Sequence, residues 1–318
     1  MTSIVYGPVP SRRLGRSVGV NNIPPKVCSY SCVYCQLGSA LHQQVERKRF
    51  YSTKRIFREV SDKVKRVREK QERIDFLTFV PDGEPTLDVN LGEEIESLKT
   101  FGLRIAVLSN SSLVWREDVK EDLMKADWIS LKVDSVDNSF WKTVNRPEHS
   151  LKLQRILDGI RDFSRDYKGE LTTETMLVDG INDKEEEIRH VAGFLREIDP
   201  DKAYVAIPTR PPAEAWVRPP SESILNTAYQ IFKENLGYVE LLTGYEGSEF
   251  VSTGNVEEDL LGIAAVHPIR RDGVERLLST ADATWNTVEK LISENKLKEV
   301  EYQGKKYYLK RPRHIRIQ

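Results

Sequence analysis

The chain is poor in cysteine, and the few cysteines that it has lie in one short segment. Its 318 residues include three, Cys28, Cys32 and Cys35, in the stretch KVCSYSCVYCQLG. A tight group with an odd number of thiols argues against the disulfide framework of a small secreted protein. It favours metal binding or catalysis instead.

Long apolar runs are also missing. No stretch approaches the ~20 apolar residues that a membrane-spanning helix needs, and the first twenty residues lack the basic, then apolar, then small-residue order of a signal peptide. Neither an internal repeat nor a low-complexity segment is visible. We therefore expect a cytoplasmic protein with no membrane partner, in a compartment where thiols stay reduced.

Charge is nearly balanced overall, at a net −1, but it is unevenly distributed. Residues 1–75 carry 16 Lys and Arg against 6 Asp and Glu, and residues 296–318 carry 8 against 2. Two basic ends would suit an anionic partner such as RNA. A solvated helix face and a basic tail explain each segment equally well.

Short apolar runs rich in β-branched residues alternate with amphipathic helical patterns over most of the chain. Strands that are each followed by a helix predict a parallel sheet with right-handed crossovers, curled towards a barrel or doubly wound. Ser52 or Thr53 and Asp183 are the expected N-caps of two of the helices. The predicted strands are SVGVNNI (17–23), DFLTFV (75–80), RIAVLS (104–109), WISLKVD (128–134), LTTETMLV (171–178) and AYVAIPT (203–209).

The pattern changes after residue 250. Three short amphipathic helices precede a hairpin with Gln303-Gly304 at its turn, which is the composition of a winged helix. We expect a first domain over 1–245 and a winged-helix domain over 250–318. Bases and aromatics alternate in the hairpin as they do in RNA-binding proteins. Strand alternation places Tyr307 and Tyr308 on opposite faces, so one of them should be core. Protein docking, or covering the open side of the barrel, is the alternative to RNA binding for this hairpin.

Three clustered thiolates have two plausible uses. They can hold a tetrahedral zinc ion if a fourth ligand exists, and His42 could supply it. They can also hold three irons of a cubane cluster whose fourth iron stays open to another ligand. The spacing C-x3-C-x2-C alone leaves both uses open.

With Tyr34 before its last cysteine, the cysteine segment resembles the radical S-adenosylmethionine (SAM) superfamily. The stretch from residue 7 to 38 is similar to single-cluster members labelled as related to wyosine synthesis. The resemblance implies a partial (β/α)6 TIM-like barrel, one [4Fe-4S] cluster on the three cysteines and SAM on the open iron. It also implies cleavage of SAM to a 5'-deoxyadenosyl radical that abstracts hydrogen, and a low-potential electron donor, flavodoxin or ferredoxin.

Other strand ends extend the resemblance. Asp82-Gly83-Glu84-Pro85 looks like the loop that binds the amino group of SAM, although such a sequence also favours a plain β-turn. Ser130, Lys132 and Asp134 share one strand face in a stretch that resembles radical-enzyme activating enzymes; a structural pair of Lys132 with Asp134 is the alternative. No catalytic residue is expected beyond the cysteines. The resemblance implies cofactor contacts from Tyr34, Gly83, Glu84, Pro85, Ser109, Asn110, Ser130, Lys132, Asp134, Glu174, Met176 and Ile207.

The substrate is less well defined by the sequence. Arg12, Arg13 and Arg16 are candidates to clamp a phosphate or carboxylate, or else they form salt bridges within the barrel. An RNA base and a protein, as for an activating enzyme, are the two substrate hypotheses. A non-catalytic RNA-binding module that holds zinc is the alternative from another class.

Overall fold

The computed structural model describes residues 4–244, 250, 254–265 and 267–311. In these residues the main sheet has eight strands in the order β1-β2-β5-β6-β7-β8-β9-β10. The strands are β1 Val5–Ser11, β2 Gly15–Val20, β3 Val27–Cys28, β4 His42–Gln43, β5 Phe76–Phe79, β6 Arg104–Ser109, β7 Trp128–Lys132, β8 Glu170–Met176, β9 Lys202–Ala206, β10 Val239–Leu242, β11 Ile269–Arg270, β12 Leu297–Tyr302 and β13 Lys305–Lys310. The helices are α1 Thr53–Glu69, α2 Leu91–Lys99, α3 Glu117–Leu123, α4 Asn138–Asn145, α5 Leu153–Asp166, α6 Glu185–Ile198, α7 Glu222–Asn235, α8 Val256–Ala264, α9 Arg271–Thr280 and α10 Asn286–Ser293.

The predicted partial barrel is confirmed. Strands β2 and β5 to β10 are parallel in chain order, and helices connect them on the outside. Two edge strands are additions to the six predicted strands. Strand β1 pairs antiparallel with β2, and β10 pairs parallel with β9. An edge position explains why β1 tolerates Pro8 and Pro10, since an edge strand needs only one row of backbone donors.

The helices cover the sheet through regularly spaced apolar residues. In α5, Ile156, Leu157, Ile160 and Phe163 are buried on one side, at the spacing of an amphipathic helix. Burying each such side chain contributes about 1.5–3 kcal/mol. Ser52 caps α1 through the Arg55 amide, as expected. The predicted Asp183 cap is wrong, because Lys184 occupies the N-cap of α6 and makes no side-chain cap bond.

The C-terminal part contains the three predicted helices and the hairpin, and β11 adds a third strand to its sheet. The winged-helix assignment stays a prediction, as does the domain boundary, since residues 245–249 lie outside the described part. Arg313 and Arg316 of the basic tail also lie outside the described part. No described helix is long and apolar enough to cross a membrane. The cytoplasmic location stays a prediction.

The C-terminal part contacts both ends of the main sheet. Helix α8 packs on β1, and the buried Lys63 of α1 pairs with Asp259 of α8 at 3.6 Å. The hydroxyls of Tyr302 and Tyr307 donate to the carbonyls of Pro208 and Thr209 after β9, each at 3.1 Å. These contacts place the C-terminal part across the gap between the first strand and the last strands of the partial barrel.

The predicted placement of Tyr307 and Tyr308 on opposite faces of β13, with one of them in the core, is confirmed, and both rings are buried. Their exposed fractions are 5% and 1%. Tyr308 packs in the core of the C-terminal part, and Tyr307 faces the barrel on the other side of the strand. Both faces of β13 are thus covered, which leaves neither ring available to stack on an RNA base.

Candidate functional site

A cavity of about 280 Å³ lies at the carboxyl ends of the parallel strands and reaches into the barrel. In barrels of this kind, ligands bind at that end of the sheet. Of the predicted site residues, those that line the cavity are Arg12, Arg13, Cys28, Cys32, Tyr34, Cys35, Gly83, Lys132, Glu174, Met176 and Ile207. Those that do not line it are Arg16, Glu84, Pro85, Ser109, Asn110, Ser130 and Asp134.

The three cysteines come together on one loop between β2 and α1. Turn hydrogen bonds shape the loop, from the Cys35 amide to the Cys32 carbonyl at 3.1 Å and from the Gly38 amide to the Cys35 carbonyl at 3.0 Å. Burial raises the pKa of all three thiols, and for Cys32, where the negative charge of Asp134 adds to burial, the pKa rises to about 12. Burial therefore disfavours the thiolate form, and a bound cation would offset that cost.

The end of helix α4 holds this loop in place. The amides of Ser31 and Val33 donate to the carbonyls of Asn145 and Val144, at 3.0 and 2.9 Å. The last carbonyls of a helix have no partner within the helix, so the loop satisfies groups that would otherwise be exposed or unpaired. The Asn145 side chain also donates to the Cys32 sulfur, at 3.4 Å. Nothing in the local sequence around Asn145 indicated a contact with a cysteine more than a hundred residues away.

Two charged strand ends face each other across neighbouring strands. Lys132 of β7 and Glu174 of β8 are register partners, and their charged atoms are 2.9 Å apart. Arg13, from the turn between β1 and β2, pairs with the same carboxylate. Burial alone would raise the pKa of Glu174, but the charges of Lys132 and Arg13 outweigh it and hold the pKa at about 2. Glu174 is therefore ionised, and the three residues together carry one net positive charge into the cavity.

Asp134 lies behind this group. It is buried and accepts hydrogen bonds from the Tyr34 hydroxyl, the Asn145 amide at 2.6 Å and the Met176 backbone amide at 2.8 Å. Lys132 is 3.6 Å from the same carboxylate. The alternative structural pair of Lys132 with Asp134 therefore exists, although the shorter contact of Lys132 is with Glu174. Ser130, on the same strand face, is buried and does not reach the cavity.

The loop with the predicted amino-group ligand is tightly built. The Glu84 carboxylate accepts from the Thr86 amide and hydroxyl, the Ser109 hydroxyl at 2.8 Å and the Asn110 amide at 2.7 Å. The Glu84 side chain thus links the loop after β5 to the end of β6. Its role in cofactor binding stays a prediction. Gly83 has φ +153°, and a Cβ there would lie 1.8 Å from the Val27 carbonyl oxygen. The close approach that requires glycine is to the strand that leads into Cys28.

The three arginines have different positions. Arg12 donates to the carbonyls of Gly244 at 2.6 Å and Leu241 at 3.4 Å, and it lines the cavity. Arg16 pairs with Glu72 and does not line it, so the salt-bridge alternative describes Arg16. Arg210, which sequence reasoning missed, also lines the cavity and bonds to Gln36 at 2.8 Å.

The zinc alternative depends on His42. That residue is exposed on β4 and does not line the cavity with the cysteines. Within the described ranges, no three His, Cys, Asp or Glu side chains converge closely enough to hold a single metal ion. The zinc site therefore has no supporting geometry in this part of the chain.

Comparisons with known proteins agree with this geometry. The family model of the Radical SAM superfamily matches residues 22–192. A UPF0026 protein of Methanocaldococcus jannaschii is 46% identical over 97% of this chain and 96% of its own length. A second UPF0026 protein, from Helicobacter pylori, is 35% identical over 65% of this chain and 67% of its own length.

Solved structures share the fold at low identity. A radical SAM methyltransferase from Sphaerobacter thermophilus is 15% identical, with a TM-score of 0.53 over 71% of this chain and 66% of that chain. Streptococcus suis SuiB bound to S-adenosylmethionine is 13% identical, with a TM-score of 0.52 over 70% of this chain and 49% of that chain. The chain thus spans half to two thirds of the length of these structures, and the likeness concerns the fold alone.

Proposed function

The chain belongs to the Radical SAM superfamily, and on that premise we propose that it reductively cleaves SAM and abstracts a hydrogen atom from a second substrate. Enzymes of this superfamily use a [4Fe-4S] cluster and SAM, which together supply a carbon-centred radical once a reductant has provided an electron. The observation that carries the proposal is that all three cysteines and the charged ends of two strands line one cavity.

The three cysteines fit an iron-sulfur cluster. Three thiolates leave one iron of a cubane without a protein ligand, and that iron is where SAM would bind. The buried thiols have raised pKa values, and iron binding releases the protons that burial retains. Cys28, Cys32 and Cys35 would therefore hold the cluster.

The charged group of Lys132, Glu174 and Arg13 would hold the methionine end of SAM. That end carries an ammonium and a carboxylate, and the cavity offers one carboxylate and two cations at adjacent strand ends. The Tyr34 ring lies 4.8 Å from the Lys132 ammonium and its hydroxyl bonds to Asp134, so it fixes this side of the cavity. Met176 and Ile207 add apolar surface for the remainder of the cofactor.

The second substrate would approach past Arg12. This guanidinium lines the cavity, and among the described residues it donates to the backbone carbonyls of Leu241 and Gly244, which carry no net charge. An anionic group on the substrate, as in an RNA or an acidic protein segment, suits that position. Flavodoxin or ferredoxin would supply the electron.

The test is anaerobic reconstitution with iron and sulfide, followed by electron paramagnetic resonance (EPR) of the reduced protein with and without SAM. We expect a [4Fe-4S]⁺ signal that changes when SAM is added, and 5'-deoxyadenosine as a product. Alanine variants of Cys28, Cys32 and Cys35 should each lose both results. Ser31→Ala is the matched control, since it changes a polar side chain of the same loop that bonds to the Ala40 amide and to no cysteine.

Protein that binds stoichiometric zinc and forms no 5'-deoxyadenosine would contradict the proposal. So would a Cys35→Ala variant that forms as much 5'-deoxyadenosine as the wild type. The salt dependence of binding distinguishes the two substrate hypotheses. RNA binding weakens steeply as the salt concentration rises, whereas docking of a protein segment depends less on salt.

A further inference from the structure

Two of the cysteine sulfurs each accept a hydrogen bond from a side-chain amide. Asn145 Nδ2 lies 3.4 Å from Cys32 Sγ, and Asn110 Nδ2 lies 3.5 Å from Cys28 Sγ. These distances are normal for a sulfur acceptor, which is larger than oxygen. The two donors come from different places, the end of α4 and the loop after β6.

Both amides are held so that nitrogen, and not oxygen, faces the sulfur. Asn145 Nδ2 also donates to the Asp134 carboxylate at 2.6 Å, and a carboxylate can only accept there. Asn110 Oδ1 accepts from the Ser112 amide at 3.0 Å, which leaves its nitrogen for the sulfur side. Asn145 is only 2% exposed, so water does not compete for its amide.

We propose that Asn145 and Asn110 are positioning residues that raise the reduction potential of the iron-sulfur cluster by donating N–H···S hydrogen bonds to Cys32 and Cys28. The inference rests on the proposed function, because it needs the cluster. Reduction adds one electron from the reductant and moves no proton, so the sulfur ligands become more negative. A donor to sulfur then stabilises the reduced cluster more than the oxidised one.

Asn145 should have the larger effect of the two. Its amide bridges the Asp134 carboxylate and the Cys32 sulfur. Without the amide, the Asp134 carboxylate and a more negative sulfur would lose the donor that joins them, and the Tyr34 hydroxyl would remain as a donor to Asp134. The side-chain amide of Asn110 instead bridges the Cys28 sulfur and the neutral Ser29 hydroxyl, which lies at 2.9 Å.

The experiment compares reduction potentials of reconstituted proteins without SAM, by redox titration monitored by EPR. In Asn145→Leu we expect the ratio of reduced to oxidised cluster at a fixed potential to fall about tenfold, which equals about 59 mV for one electron. Asn110→Leu should shift the potential in the same direction by less. Gln43→Leu is the matched control, because the Gln43 amide donates to the Arg146 carbonyl at the same helix end and to no sulfur.

Failure of this inference is distinguishable from failure of the proposed function. A wild type that takes up no cluster overturns both. A wild type with a cluster, and an Asn145→Leu protein with full iron content and an unchanged potential, overturns the inference alone. If Asn145→Leu does not fold, as judged by circular dichroism, the reduction potentials of Asn145→Ser and Asn110→Leu test the inference instead. Wild-type potentials in both variants would overturn the inference.

Discussion

Glu94 is a buried carboxyl group whose replacement should change the pH dependence of stability. It lies on α2 next to Asp88, which follows the Gly83–Glu84 loop at the edge of the cavity. Both side chains are fully buried. Among the described residues, no donor makes a hydrogen bond to either Glu94 oxygen, to Asp88 Oδ2 or to Asn22 Oδ1. Burial first, and then the charge of Asp88, raises the pKa of Glu94 well above its usual value; burial also raises the pKa of Asp88.

The sign of the effect follows from the raised pKa. Below the ordinary pKa of a glutamate, about 4, the carboxyl group is protonated in both states and has no effect. Above it, the unfolded chain loses the proton while the folded chain keeps it, so stability falls as pH rises. The loss is ~1.4 kcal/mol per pH unit for one retained proton, or ~2.7 kcal/mol between pH 6 and 8.

The perturbation is Glu94→Gln, which removes this titration and keeps the shape. We expect the free energy of unfolding of Glu94→Gln, relative to that of the wild type, to increase by ~1–3 kcal/mol between pH 6 and 8. The assay is urea denaturation at several pH values, followed by tryptophan fluorescence, to which the buried Trp128 and Trp141 contribute. Glu96→Gln, on the exposed side of α2, is the control for loss of one carboxylate from that helix. Parallel pH profiles for Glu94→Gln and the wild type would refute the reasoning.

Three further predictions concern stability. Gly83→Ala should cost about 3 kcal/mol of stability, because its Cβ would overlap the Val27 carbonyl. Gly180→Ala, also at positive φ but with no described atom within 4 Å, should cost only about 1 kcal/mol. Equal losses for the two variants in urea denaturation would contradict this. Glu174→Gln should cost about 3 kcal/mol, because it leaves two buried cations facing each other, and a melting temperature equal to that of the wild type would count against it. Tyr302→Phe should lose about 1 kcal/mol with its hydrogen bond to the loop after β9, seen as faster hydrogen exchange in that loop; unchanged exchange would argue that the bond has no structural role.

Elements with strong local patterns were predictable. Strands β2 and β5 to β9 contain short runs rich in apolar and β-branched residues, because a parallel strand is buried on both faces. Strands β1 and β10 were missed, since prolines interrupt the first and Glu240 interrupts the short apolar run of the second. The Asp183 cap was misplaced by one residue, which is within the usual uncertainty of helix ends.

Chemistry that depends on sequence spacing was also predictable. Three cysteines within eight residues must lie on one loop, and Lys132 and Glu174 stand at the ends of strands that a parallel sheet brings to one edge. The sequence by itself therefore determined the barrel, the thiol cluster and the charges that meet there.

The tertiary structure alone decided which partners each of those groups has. Asn145 reaches Cys32 because the end of α4 packs on the cysteine loop, and Arg13 reaches Glu174 across 161 residues of sequence. Glu84 is occupied by four internal hydrogen bonds, and the hairpin tyrosines bind the barrel in place of solvent. The physical reason is that a hydrogen bond or ion pair forms over a few ångströms between any two parts of the chain, whereas a sequence pattern reports only neighbours along it.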